Sequence, residues 1–151
     1  MWGHSRYTNK LFVLQKRAVR ILAKTSLDPT TADIFYKDTC KTLFRHFKIL
    51  TLPCVYILNV IMYVIRDGMS TKNADIHQHN TRGKTRYVLK IHRTNFVANG
   101  PQYAGNKFFN VLPNYIRCIS DIQIFKCKLK DFLVHKCYYT IDEFLNDCMY
   151  S

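Results

Sequence analysis

Glycine and proline are scarce in this chain, five and four among 151 residues, which excludes collagenous, linker-like and low-complexity architectures. Cys-x-x-Cys pairs are missing, although there are six cysteines: Cys40, Cys54, Cys118, Cys127, Cys137 and Cys148. Several sit in apolar company, as in Leu52-Pro53-Cys54-Val55-Tyr56, so they read as reduced, buried structural thiols of an intracellular chain. No apolar h-region is visible, because Met1-Trp2-Gly3-His4-Ser5-Arg6 leads into a basic amphipathic stretch, and no signal peptide is expected. The longest apolar run, residues 52–65, falls short of the ~20 residues that a bilayer requires. No membrane partner is expected.

Acid is the other deficit. There are 10 Asp and Glu against 23 Lys and Arg, for a formal net charge of +13. Residues 1–27 hold six basic side chains and no acid; residues 76–120 hold seven, Arg82, Lys84, Arg86, Lys90, Arg93, Lys107 and Arg117, again with no acid. The remaining segments nearly balance, so these two stretches carry the whole surplus. Such a distribution concerns partners more than fold, and phosphate-bearing partners come first.

What is present is a core. The apolar share is 48% and aromatics make up 14%, enough for one folded domain over residues 1–151 without help from disulfides or metal. Residues 6–24 have helical periodicity, with Tyr7, Leu11, Leu14, Ala18, Ile21 and Leu22 on a stripe expected to face the core. Arg6, Lys10, Lys16, Arg17, Arg20 and Lys24 fall opposite, with no acid for i,i+4 pairing. Asp28-Pro29 starts a short second helix to about residue 37, and Leu43, Phe44 and Phe47 make an apolar turn. Thr51 caps a helix over about 53–66 that is apolar nearly all round and is expected at the centre; Asp67-Gly68 ends it. Residues 69–85 read as loop. Alternation of Tyr87, Leu89 and Ile91 with Val88, Lys90 and His92 predicts a short strand.

Asn99-Gly100-Pro101 is a turn signal, followed by a short helix over 107–112 that Pro113 stops. Two capping boxes, Ser120-x-x-Gln123 and Thr140-x-x-Glu143, open the last helices. The first has Ile122, Phe125, Leu129, Phe132 and Leu133 inward, the second Ile141, Phe144 and Leu145. The expected architecture is a single, mainly helical domain with a small β element in the middle.

Catalytic chemistry is not evident. Two-metal phosphoryl transfer needs clustered carboxylates, and the acids here are scattered. Gly83-Lys84-Thr85 lacks the first glycine of a phosphate loop. His77-x-His79 could offer two zinc ligands, but no third follows at zinc-like spacing. Neither an enzyme nor a cofactor is expected.

Six runs in order resemble a known family. They are Trp2-Gly3, Gln15-Lys16-Arg17-Ala18-Val19-Arg20-Ile21-Leu22, Leu50-Thr51-Leu52-Pro53-Cys54-Val55-Tyr56, and His77-Gln78-His79-Asn80-Thr81-Arg82. Pro101-Gln102-Tyr103-Ala104-Gly105-Asn106-Lys107 with Asn110-Val111-Leu112-Pro113, and the block from 125 to 145, complete the set. Together they resemble the C-terminal end of the reverse-transcriptase polyprotein of Jockey-like non-LTR retrotransposons. The resemblance implies a parent protein with an endonuclease and an RNA-directed DNA polymerase ahead of the matched region. The Tyr-x-Asp-Asp polymerase signature has no counterpart here, so no catalytic residue carries over. The implied role is that of thumb-like or C-terminal helices that hold template and primer.

The expected function is non-catalytic binding of an RNA, DNA or hybrid backbone with little sequence preference. The candidate contacts are Lys10, Lys16, Arg17, Arg20 and Lys24 together with Arg82, Lys84 and Arg86, in the nucleus or cytoplasm. A structural module packing on the polymerase domains, and a host-adopted nucleic-acid-binding protein, are the alternatives. A large apolar patch exposed on helix 6–24 would be the signature of the packing module.

Overall fold

Residue Thr51 sets the central element of the computed structural model, which describes residues 7–27, 40–68, 70–76, 83–89 and 100–149. Its backbone is extended and its side chain accepts from the Cys54 amide, while the same hydroxyl donates to Tyr138 O at 2.6 Å. Pro53 fits the first turn because no amide is needed there.

In chain order the helices are α1 (Thr8–Ser26), α2 (Cys40–His46), α3 (Leu52–Asp67) and α4 (Asn73–Ile76). They continue with α5 (Pro101–Val111), α6 (Asn114–Arg117), α7 (Ile122–Lys136) and α8 (Ile141–Met149). α3 is central as expected: nine of its residues are buried, among them Tyr56, Ile57, Ile61 and Val64. Gly68 terminates it at φ +63°, a left-handed conformation that glycine adopts without steric cost.

Around α3 lies one apolar cluster built with α5, α7 and α8, where Phe108, Phe125, Leu129, Leu133 and Phe144 meet it. The second cluster joins α1 to α2 through Phe12, Val19, Ala23, Leu43, Phe44 and Cys137. Leu43 and Phe44 thus belong to a two-turn helix rather than a turn. Lys41 on α2 pairs with Glu143, the chain's only glutamate, and ties α2 to the start of α8. Burial alone would raise the Glu143 pKa, but its bonds to Lys41 and the Tyr139 amide hold it below the ordinary value.

Capping residues set the starts of the later helices. The α5 helix begins at Pro101, six residues earlier than expected, since Gly100 serves as its cap and Pro101 as its first residue. At α7 the cap is Asp121, not Ser120: its carboxylate accepts from the Gln123 and Ile124 amides, both at 2.8 Å. A charged acceptor at a helix N-terminus also meets the macrodipole favourably. Phe125, Leu129 and Leu133 are buried and Phe132 half-buried, but Ile122 is exposed. Thr140 caps α8 through the Glu143 amide at 3.1 Å, and Phe144 is buried. The expected helix over 28–37 lies outside the described residues.

The small β element is corrected. Among the described residues there is no strand, only one antiparallel bridge between Lys72 and Tyr87. Bonds from the Asn73 amide to Arg86 O and from the Val88 amide to Thr71 O bracket it. On its other edge Tyr87 pairs with the Asn110 side chain rather than with a further strand. The Tyr87 amide donates to Asn110 Oδ1 at 2.7 Å, and Asn110 Nδ2 donates to Tyr87 O at 2.8 Å. One side-chain amide thus stands where a neighbouring strand would. Asn110→Ala strands both backbone groups and should cost about 2 kcal/mol, read as a lower urea midpoint at unchanged m-value. An unchanged midpoint would show that water replaces the amide at no cost.

Cys40, Cys54 and Cys137 are buried thiols, whereas Cys118 and Cys127 are exposed, contrary to a uniformly buried set. Burial pushes the Cys54 thiol up to about 11, so it is a poor nucleophile at neutral pH. No helix among the described residues is long and apolar enough to cross a membrane.

Candidate nucleic-acid interface

Three sectors divide the surface of α1. Phe12, Val19 and Ala23 form the buried one, with the Phe12 ring edge-on to Tyr139 at 5.1 Å between centroids. Gln15 fixes the same side: its Nε2 donates to Leu50 O and its Oε1 accepts from the Leu52 amide, both at 2.8 Å. Ala23 lacks bulk and allows close approach at the C-terminal end.

The stripe expected in the core is therefore a correction. Tyr7, Leu11, Leu14, Ala18, Ile21 and Leu22 are exposed, Leu14 at 57% and Ile21 at 63%. The physical reason is that apolar residues occupy well over half of the helix circumference. The docking sector was decided by partners far away in sequence, Phe44, Leu50 and Tyr139.

The basic residues take the remaining sector. Lys10, Arg17, Arg20 and Lys24 are exposed, and α1 carries no acidic residue along its whole length. Lys16 does not share that sector fully. It is half-buried, with Nζ 4.7 Å from the Phe12 ring centroid and 5.5 Å from that of Tyr139. Part of its charge is already spent on aromatic faces of the second cluster.

Lys84 and Arg86 are exposed, but sit beside Tyr87 of the first cluster, not on the cluster that holds α1. Arg82, like His77 and His79, lies outside the described residues. Among the described residues, the cations of the two acid-free stretches thus sit beside different clusters. Among the described residues no group of three His, Cys, Asp or Glu could hold a metal.

A further cation is set apart by its burial. Arg117, at the end of α6, is only 9% exposed and lines an open cleft of about 920 Å³ with Arg86, Tyr115, Lys136 and Asp147. It donates from Nη1 to Asn110 O at 3.0 Å and from Nη2 to Asn114 Oδ1, while its buried Nε has no acceptor. Burial and the nearby Arg86 charge pull its pKa below the ordinary arginine value. The acid-free run 76–120 was the available signal, but burial of one of its seven cations is a tertiary property. Comparisons with protein-family models, curated proteins and solved structures find no match.

Proposed function

We propose that this chain is a non-catalytic helical module of the kind its resemblance implies, the C-terminal region of a non-LTR retrotransposon reverse transcriptase. In this reading it holds the phosphate backbone of RNA, DNA or a hybrid inside the cell, in nucleus or cytoplasm. The observation that carries it is α1: Lys10, Arg17, Arg20 and Lys24 share a solvent sector of a helix with no acidic residue. A phosphate backbone neutralises such a row by releasing condensed counterions. Sequence preference is slight, because the contacts are charges and no base-reading motif is present.

Filter binding of the purified chain to single-stranded RNA, duplex DNA, a hybrid and anionic vesicles tests the reading. The expected result is tight binding at low salt to nucleic acid, with vesicles bound less well. Micromolar or weaker binding to every nucleic acid at low salt would leave the sector as a solvated surface.

A second reading has its own observation, the exposed apolar sector of Leu11, Leu14, Ile21 and Leu22 beside the basic one. Contiguous apolar surface of this kind marks protein contact. In that reading α1 packs on the polymerase domains of the parent protein and aims its cations at the template–primer. Leu14→Lys with Ile21→Lys should abolish association with those domains while leaving nucleic-acid binding by the isolated chain undiminished. Loss of both together would contradict the division into sectors.

A further inference from the structure

Arg117 is the only charged side chain among the described residues that is nine-tenths buried. A guanidinium taken out of water is costly unless an opposite charge compensates it. Its two partners, Asn110 O and the Asn114 amide, are neutral, and Nε has none. Among the described residues, the charged group that acts on it most is Arg86, which repels. Chain segments 77–82 and 90–99, which flank this part of the fold in sequence, contain no acid.

The cleft that Arg117 lines has the same imbalance. Among the described residues its cations are Arg86, Arg117 and Lys136, and its one carboxylate, Asp147, is engaged by Lys136 at 2.7 Å and by the Tyr138 hydroxyl at 2.6 Å. Arginine side chains recognise phosphate by paired, charge-assisted hydrogen bonds. Tyr115, 66% exposed, lines the same cleft, and an exposed aromatic beside phosphate-binding cations is a stacking platform for a base. At about 920 Å³ the cleft has room for a nucleotide.

We infer that this cleft is a phosphate-binding site that takes one nucleotide unit of a single strand, its phosphate on Arg117 and Arg86 and its base against Tyr115. The inference rests on the backbone-binding reading for the strand, but the site is separate from α1. The bound anion supplies the counter-charge that no described residue gives Arg117.

Thermal shift of the full chain tests this with inorganic phosphate, a 5′-mononucleotide and a short single-stranded oligoribonucleotide, each against chloride at matched ionic strength. All three should raise the melting temperature, the oligoribonucleotide at the lowest concentration. Arg86→Gln, at an exposed position, should weaken the phosphate response about tenfold. Arg117→Met should melt no lower than wild type without ligand, because an uncompensated buried charge is gone, and should lose the response. Tyr115→Ala should weaken the oligoribonucleotide but not inorganic phosphate.

A wild-type chain that phosphate does not stabilise beyond chloride overturns the inference, whatever the variants do. Stabilisation by inorganic phosphate that neither nucleotide nor oligonucleotide improves overturns the strand assignment. Oligonucleotide binding that survives Arg86→Gln and Arg117→Met but vanishes in Arg17→Gln/Arg20→Gln overturns this inference and leaves the α1 reading standing; the opposite pattern does the reverse.

Discussion

Ile61→Asp is expected to abolish cooperative folding. Ile61 has no exposed surface and lies at the middle of α3, in the cluster shared with α5, α7 and α8. A carboxylate placed there meets apolar neighbours and either stays charged without a partner or takes up a proton. Both routes cost several kcal/mol, against a total stability of ~5–15 kcal/mol for a domain of this size. Ile61→Val, which removes one methylene, should cost only about 1 kcal/mol and supplies the control. Circular dichroism across a thermal ramp reads both. A folded Ile61→Asp variant melting near wild type would mean that α3 is peripheral, and with it the whole assignment of the core would fall.

Gly105→Ala is expected to force α5 away from α3. A Cβ at this position would stand 2.3 Å from Val64 Cγ2 and 2.8 Å from the Val60 carbonyl oxygen. The methyl can move with its rotamer, but the carbonyl belongs to the α3 backbone and moves only with the helix. Overpacking of this kind costs about 1–3 kcal/mol for small insertions, and Gly105→Val should unfold the chain. The two helices should also be coupled. With Val64→Ala in the same chain, the loss should be smaller than the sum of the single losses, because the shorter side chain vacates part of the clash. Strict additivity in urea denaturation would show that the close approach does not exist.

The sequence was most legible where structure is local. Thr51, Pro53 and Asp67-Gly68 frame α3 by capping chemistry that needs only neighbours, and the helix ends within a residue or two of expectation. Legibility fails where distant groups choose between local options. The apolar residues of α1 offer two faces, and Gln15 bridging to Leu50 and Leu52 selects the less obvious one. The alternation of residues 87–92 suggests a strand, but residues 90–92 lie outside the described ones, and the backbone of Tyr87 pairs with Asn110, from a helix more than twenty residues on. Among the candidate contacts, Lys10, Arg17, Arg20 and Lys24 lie together in solvent, because charge runs on a helix stay out of a core whichever apolar face docks. Lys16 does not, because its position on the wheel borders the buried sector. Arg117 is visible as one cation in an acid-free run, but its burial depends on the placement of α6 against α7 and on its bond to Asn110 O of α5.

The central claim is that the location of the charge on α1, and not the net charge of the chain, binds nucleic acid. A charge-matched pair of variants tests it directly. Arg17→Gln/Arg20→Gln and Lys126→Gln/Lys130→Gln each remove two exposed cations, the first pair from α1 and the second from α7. The measurement is affinity for a single-stranded RNA across a salt series. For the wild type, the logarithm of affinity should fall with the logarithm of salt by roughly 0.7–0.9 per phosphate contact. The α1 pair should weaken binding to all sequences alike and flatten that slope by up to about two, while the α7 pair leaves both affinity and slope near wild type. Equal losses in the two variants would contradict the account and reduce the basic sector of α1 to its share of an overall positive charge.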